Sequence, residues 1–324
     1  MSKYRIGMDL GGTNIVCGLV GERNEAIQVI KSPTEAHLGE EAVLKKMADM
    51  ANALLNQNGL SVDQLTAVGA GIPGLIDPEA GLCIGSSNLK WRNVRAAERL
   101  EQLIHVPVTI DNDVRMYVLG EAMYGAGRDK KVVLGVTLGT GIASALVYEG
   151  RLYYGAAKIA GEFGHIYMDG ETAKCGCGLT GCLETVASAT GMARQARELL
   201  AAGRASSLAG IEEAGGLLTA AHISQAYDEG DAVAVQVMQH TGRTLGKALS
   251  YAVTLYNPDV IVVGGGVANA GERLLKYTRE TLAAHSLRPL HATLEIRPAE
   301  LGDNAGVLGS AAAAQKRAAG VASA

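Results

Sequence analysis

The chain has 324 residues, 48% of them hydrophobic and 19% charged, with 29 Lys plus Arg against 33 Asp plus Glu for a formal net charge of −4. That length exceeds the ~100–200 residues of a typical domain, so a single small module is excluded and two lobes with separate cores are expected. No run of Lys or Arg supplies the electrostatic footprint of sequence-independent nucleic-acid binding, so no nucleic-acid partner is expected.

The first residues, Met1–Gly7, enter a strand-like segment with no apolar leader core behind their charges, which predicts a cytoplasmic protein. Tyr4–Leu10, Asn14–Val20 and Ala26–Ile30 read as three short strands, with Gly11-Gly12-Thr13 as the first turn. Glu40–Asn58 carries apolar residues at helical spacing, with Gly59 as its C-terminal cap. Ala67–Gly71 is a buried strand, Arg95–Ile104 a helix, Val106–Ile110 a strand, and Val114–Tyr124 a helix after Asp111-Asn112-Asp113. Val132–Tyr148 is too interrupted by Gly135, Thr137, Gly139, Thr140, Gly141 and Ser144 for a membrane span and reads as strand, turn, strand, so no membrane partner is expected. Gly155–Gly181 has little regular structure, Ala187–Leu200 is a helix, and Gly203–Gly216 a mobile loop. From Leu217 to Tyr256 the pattern is mostly helical, Val260–Val263 is a buried strand, and Ala305–Ala318 a helix of small residues.

Glycine is enriched, at 42 residues, and clusters at the ends of apolar runs, as tight turns and close approaches to a ligand require. An internal echo organises these clusters. Asp9-Leu10-Gly11-Gly12-Thr13 and Thr137-Leu138-Gly139-Thr140-Gly141 each sit between two strands, and Val68–Gly71 and Val262–Gly266 are each buried strands ending in glycine. Two pairs in the same order predict a duplicated α/β lobe with two glycine hairpins facing one cleft.

Such hairpins present backbone N–H groups, and the hydroxyls of Thr13, Thr137 and Thr140, to an anion such as the polyphosphate of ATP. A P-loop is absent, and the formal G-x-G-x-x-G at Gly69–Gly74 lacks the helix that a dinucleotide site opens at its last glycine. Asp9 is suited to hold a magnesium-bound water or to cap its turn. Asp113 is suited to cap the following helix or to accept a proton from an attacking hydroxyl.

His165 followed by Cys175, Cys177 and Cys182 makes a Cys₃His set, which fills a tetrahedral site without leaving a position for catalytic water. Structural zinc is the expectation, and a buried or redox thiol pair is the alternative. Glu162 and Glu184 flank these ligands, so folding around the ion brings both carboxylates near it, where they can accept hydrogen bonds from a polyol. The second nitrogen of His165 is then available to the same ligand.

With these residues in hand the chain resembles the ROK family of bacterial sugar kinases and repressors, its glucokinases above all. The resemblance rests on Asp9–Asn14, Gly71-Ile72-Pro73-Gly74, Asn88–Trp91, Asn112-Asp113, Leu138–Gly141, Gly161–His165, Cys175–Glu184 and Gly264-Gly265-Gly266. It implies a two-lobed actin-like, ribonuclease-H-like α/β fold with a structural zinc loop, divided into 1–113 with 302–324 and 114–301. It also implies ATP and Mg²⁺, a hexose substrate and a homodimer. Asp113 looks like the base that deprotonates the sugar 6-hydroxyl, making the expected activity that of an ATP-dependent glucokinase, with a kinase for another hexose or a sugar-sensing regulator as alternatives. Gly74, Asn88, Asn112, Asp113, Glu162, His165 and Glu184 look like the sugar set. Asp9, Gly11, Gly12, Thr13, Asn14, Thr137, Gly139, Thr140, Gly141, Gly264, Gly265 and Gly266 look like the nucleotide set.

Two departures from the family pattern stand out. Arg115 places a cation two residues after the expected base, either toward solvent or altering the sugar pocket, and Ala143-Ser144 stand where glycines are common. Repressors of the family carry a winged-helix domain before the first hairpin, and the eight residues before Asp9 are too few for one. The retained Asp113 also favours catalysis.

Overall fold

The computed structural model describes residues 3–213, 215–318 and 320. Strand β1 (Tyr4–Leu10) pairs antiparallel with β2 (Asn14–Val20), which pairs antiparallel with β3 (Ala26–Pro33), three residues longer than the alternation predicts. Helix α1 (Glu40–Gln57) buries the expected stripe from Val43 to Leu55 and is capped by Asn58, with Gly59 following at φ 64°. Strand β4 (Leu65–Ile72) lies parallel to β1. The next three strands, β5 (Leu75–Asp77), β6 (Leu82–Ser86) and β7 (Trp91–Val94), form an antiparallel meander that the sequence pattern did not signal. Because β5 rather than a helix follows Gly74, the Gly69–Gly74 run is not a dinucleotide turn.

Helix α2 (Ala96–Ile104) leads to β8 (Val108–Asn112), parallel to β4 and shifted from the expected Val106–Ile110 so that Asp111 and Asn112 lie within the strand. The shift has a local cause: Pro107 has no N–H for the ladder, and its carbonyl accepts from Val68 N just before regular pairing begins. Helix α3 (Asp113–Tyr124) follows at once.

A second sheet is built from β9 (Val132–Leu138), β10 (Ile142–Tyr148) and the short β11 (Arg151–Leu152). Two helices, α4 (Glu184–Ala187) and α5 (Ala189–Ala201), replace the single one expected over 187–200, and α6 (Ala209–Glu213) lies inside the expected loop 203–216. Helices α7 (Ala220–Asp228) and α8 (Ala232–Tyr256) precede β12 (Val260–Gly264). Helix α9 (Glu272–Ala284), the short α10 (Arg288–His291) and β13 (Glu295–Pro298), none of them expected, lead to α11 (Asn304–Ala318). Among the described residues no helix is long and apolar enough to cross a membrane.

The internal echo is realised in topology. The strand orders are β3-β2-β1-β4-β8 and β11-β10-β9-β12-β13, with the last strand of each parallel to its neighbour. The chain forms two compact units, one of Met1–Val133, Ala145–Ala160 and Ala299–Ala324, the other of Leu134–Ser144 and Gly161–Pro298. This differs from the boundary expected at residue 113, because α3 packs on α11: a Cβ on Gly120 would stand 2.1 Å from Ala305 O. Helix α11 presses equally hard on the first sheet, where a Cβ on Gly7 would stand 1.9 Å from Val307 O. Part of the glycine excess therefore serves helix-on-sheet contact rather than a ligand. The first unit's core runs through Ile6, Met8, Leu10, Leu44, Met47, Leu54 and Leu100.

Candidate functional site

The residues singled out in the sequence fall into two sets, one on each unit. In the first unit, the turn between β1 and β2 is closed by Gly11 N donating to Asn14 O at 2.8 Å. Fully buried Thr34 holds it from outside, its hydroxyl donating to Gly11 O at 2.6 Å and its N–H to Thr13 O at 2.8 Å. Nothing local in the sequence signals Thr34, since the contact spans more than twenty residues. Asn88 stands beside Gly12, its Cβ 3.6 Å from where a Gly12 Cβ would sit.

At the β8–α3 junction the carboxamide of Asn112 caps α3: Arg115 N donates to its Oδ1 at 3.2 Å, and its Nδ2 donates to Gly74 O at 3.1 Å. Gly74 has φ 118°, and a Cβ there would lie 2.2 Å from Gly85 O, so this turn requires glycine. Asp113 opens the helix and accepts from Val114 N at 2.9 Å. Burial pushes its pKa up to about 6. Asp9 ends β1 against Gly306 in the first turn of α11, and burial, followed by the negative charge of Asp113, raises its pKa to about 7. Asp9 and Asp113 thus form an acidic pair that disfavours double ionisation unless a cation joins it.

Arg115 does not face solvent, being only 6% exposed. Its guanidinium donates to Asp111 Oδ1 at 3.1 Å and to Lys158 O at 2.5 Å, and lies 5.0 Å from the centroid of the Tyr154 ring. The Tyr154 hydroxyl donates to the other Asp111 oxygen at 2.5 Å. Burial raises the Asp111 pKa while Arg115 opposes the rise. The unusual arginine is thus one partner of a buried ion pair that ties the 154–158 segment to the base of α3.

In the second unit, the β9–β10 turn is held by Gly139 N donating to Gly141 O at 2.9 Å, by Ala189 N donating to Gly139 O at 2.8 Å, and by the Thr190 hydroxyl donating to Thr140 O at 2.9 Å. The Thr137 hydroxyl is turned onto Ala143 O at 3.4 Å. Gly265, at φ 86°, abuts this turn so closely that a Cβ would lie 2.4 Å from Leu138 O. The structure therefore joins Thr137, Gly139, Thr140 and Gly141 with Gly264–Gly266 in one place. Beside Gly266 a cavity of about 340 Å³ is lined by Met192, Ser224, Gln225, Val267 and Asn269. Local sequence patterns do not signal it, because apart from Gly266 its wall comes from α5, α7, α8, α9 and the turn after β12, which are far apart in the sequence.

The ligand atoms of His165, Cys175, Cys177 and Cys182 all lie within 4.8 Å of one another. His165 Nδ1 faces Cys175 Sγ at 3.7 Å, while its Nε2 faces Glu162 Oε2 at 3.7 Å. Glu184 Oε1 accepts from Cys175 Sγ at 2.9 Å, and its Oε2 lies 3.0 Å from where a Gly141 Cβ would stand, so this one carboxylate links the cysteine cluster to the glycine turn. Three thiols and an imidazole nitrogen converging in this way fit a four-coordinate zinc ion with no open position.

With this geometry in place, comparison with known proteins assigns the class. The model of the ROK family matches residues 5–317, and the chain belongs to that family. It is 37% identical to a glucokinase of Halalkalibacterium halodurans, covering 95% of this chain and 93% of that protein. A ROK family glucokinase from Streptomyces griseus, solved in complex with glucose and AMPPNP, superposes with a TM-score of 0.78 at 30% identity over 97% of this chain and 99% of that one. Regulators share the family: a xylose repressor of Caldicellulosiruptor bescii is 28% identical over 94% of this chain and 76% of its own length.

Proposed function

We propose that the protein is an ATP-dependent hexokinase that phosphorylates the 6-hydroxyl of glucose, with Asp113 as general base. The observation that carries this reading is the Asp113 carboxyl at the head of α3, held by the Val114 N–H and with its pKa raised to about 6, close enough to neutrality both to be ionised and to take up a proton. In the reaction Asp113 accepts the hydroxyl proton as the sugar oxygen bonds to the γ-phosphorus, the bond from that phosphorus to the β-phosphate bridging oxygen breaks, and ADP leaves. The sugar set proposed from the sequence, Gly74, Asn88, Asn112, Glu162, His165 and Glu184, would fix the 6-hydroxyl for attack.

Gly11–Asn14 and the Thr137–Gly141 turn with Gly264–Gly266 cradle the phosphates in this reading, and the cavity beside Gly266 takes the flat base between Met192 and Val267, with Ser224, Gln225 and Asn269 as polar partners. Asp9 fits a role in holding magnesium, since its raised pKa marks a carboxylate whose charge a cation would offset. Magnesium, when bound, neutralises charge on the transferring phosphate oxygens. The Cys₃His cluster would hold zinc structurally and thereby fix His165 and Glu184.

Release of ADP by the purified protein with ATP and magnesium, across glucose, mannose, fructose, allose, N-acetylglucosamine and N-acetylmannosamine, tests the proposal. Turnover on glucose alone supports it in full, and turnover on a different sugar keeps the chemistry while changing the substrate. Glucose binding without ADP release would replace the kinase by a sugar sensor. Cys177→Ser tests the zinc assignment separately: the variant is expected to lose bound metal by elemental analysis and most of its activity. Full activity without metal would refute that assignment.

A further inference from the structure

The first unit contains a cavity of about 250 Å³ that none of the sugar or nucleotide candidates lines. Leu119, Leu152 and Ala313 give it an apolar wall, and Arg151, Lys316 and Arg317 bring three cations to it. Two acids also border it, Asp111 and Glu79, but each is already committed. Asp111 is bonded to Arg115 and Tyr154, and Glu79 Oε2 lies 2.7 Å from Lys158 Nζ.

Two of the three cations are held by backbone carbonyls. Lys316 Nζ donates to Gly150 O, while Arg317 donates to Pro78 O and, at 3.0 Å, to Glu79 O. Among the described residues none of the three forms an ion pair. Basic residues in a last helical turn commonly satisfy their own helix's carbonyls. Here Lys316 and Arg317 reach across to other segments instead, so the helix end does not explain them. Burial, with the positive charge of Arg151 added to it, holds the Lys316 amine below its usual range. Like charges gathered at a partly desolvated cavity are opposed by one another and stabilised by an anion.

We propose that this cavity binds a small phosphorylated metabolite, its phosphoryl group among Arg151, Lys316 and Arg317 and its short carbon skeleton on Leu119, Leu152 and Ala313. A phosphomonoester matches the site better than a bare carboxylate, since it carries close to two negative charges and three acceptor oxygens against three donors. The volume lies below the ~300–1,000 Å³ of sites for drug-sized ligands, which suits a skeleton of a few carbons. The wall includes Asp111, whose next two neighbours in the chain are Asn112 and Asp113, so occupancy is placed to act on the α3 junction. Binding itself does not depend on the kinase reading.

Isothermal titration of the full chain with phosphoenolpyruvate and glycerol 3-phosphate, using pyruvate and glycerol as phosphate-free controls, tests the proposal. At least one phosphoester is expected to bind saturably at one site per chain, with neither control binding. Arg151→Gln, a change at an exposed side chain, and Lys316→Gln are each expected to weaken binding about tenfold or more, whereas Asp113→Asn leaves it unchanged. Circular dichroism confirms that each variant is folded. The proposal is overturned if neither phosphoester binds, or if affinity is unaltered in both folded cavity variants. Competition by an ATP analogue combined with loss in Asp113→Asn would place the ligand at the phosphoryl-transfer site and would also overturn it.

Discussion

The two five-stranded sheets share one order of strands, yet their hairpins are equipped differently. In the first hairpin the position before Leu10 is Asp9, whereas in the second the position before Leu138 is Thr137. The first unit adds Asp113 at the head of α3, so its face carries two carboxyls with raised pKa values. The second hairpin has no carboxyl there: its Thr137 hydroxyl is turned onto Ala143 O, and its backbone is backed by Gly265 and the Cys₃His cluster. One backbone plan thus carries carboxyls suited to proton and cation chemistry beside one glycine turn, and an uncharged surround beside the other. Phosphate oxygens are repelled by an uncompensated carboxylate and attracted by N–H groups, so in the proposed mechanism the first turn needs a cation beside it and the second does not.

The sharpest way to break that comparison is to remove the proposed base from the first unit. Asp113→Asn keeps the shape of the helix start and its polar side chain, and it is expected to lower kcat by about 10²–10⁴-fold. Glucose affinity measured by calorimetry should stay within about threefold of the parent value, since an amide can still hydrogen-bond the hydroxyl. Near-parental turnover would remove Asp113 from the mechanism.

Next in size is the buried pair behind that base. Arg115→Met fills a similar volume but leaves Asp111 with only Tyr154 and the Asn112 N–H, and breaking such a pair costs about 3–5 kcal/mol. Chemical denaturation followed by circular dichroism measures the loss. An unaltered midpoint would mean that Asp111 is taken up as the neutral acid, a state that burial already favours. A smaller change probes the second unit: Thr137→Asp gives its hairpin the carboxylate of the first. Weaker binding of an ATP analogue by about tenfold, read by calorimetry, is the expected result, from like-charge repulsion of the phosphates. Equal affinity would place the phosphates elsewhere.

The sequence made these hairpins legible because strand alternation and glycine turns are local signals. The Cys₃His set was legible for the same reason, its four ligands lying within eighteen residues. Elements held by distant partners were not. Strands β5 to β7 are three to five residues long and are interrupted by left-handed Lys90 and Asn93, so no period develops. Helix α9 buries only Leu274, Leu275, Thr278 and Leu282 in a charged segment, too narrow a stripe to stand out. Strand β13 is a half-exposed strand that ends at Pro298. In the site, Arg115 looked like an intruder because its partner Tyr154 lies 39 residues on, and Thr34 and the cavity beside Gly266 depend on similarly remote contacts.

The finest test separates activity from stability through one group. In the proposed mechanism Asp113 acts when ionised, so kcat/KM should rise about tenfold per pH unit up to a plateau above its pKa of about 6, and that acidic limb should vanish in Asp113→Asn. Stability must run the other way. The folded pKa stands above the ordinary value of 3.8, so the contribution from the protonated form is fully present below about pH 4 and is lost as pH rises through about 6. That contribution is on the order of 3 kcal/mol for a shift of roughly two units. The parent protein should therefore lose stability relative to Asp113→Asn between pH 4 and pH 7, while over the same interval its activity climbs. Denaturation midpoints of the two proteins at those two pH values measure the difference, and parallel stability curves would show that Asp113 is no more burdened by burial than an exposed carboxylate, removing the reason for an acidic limb near pH 6.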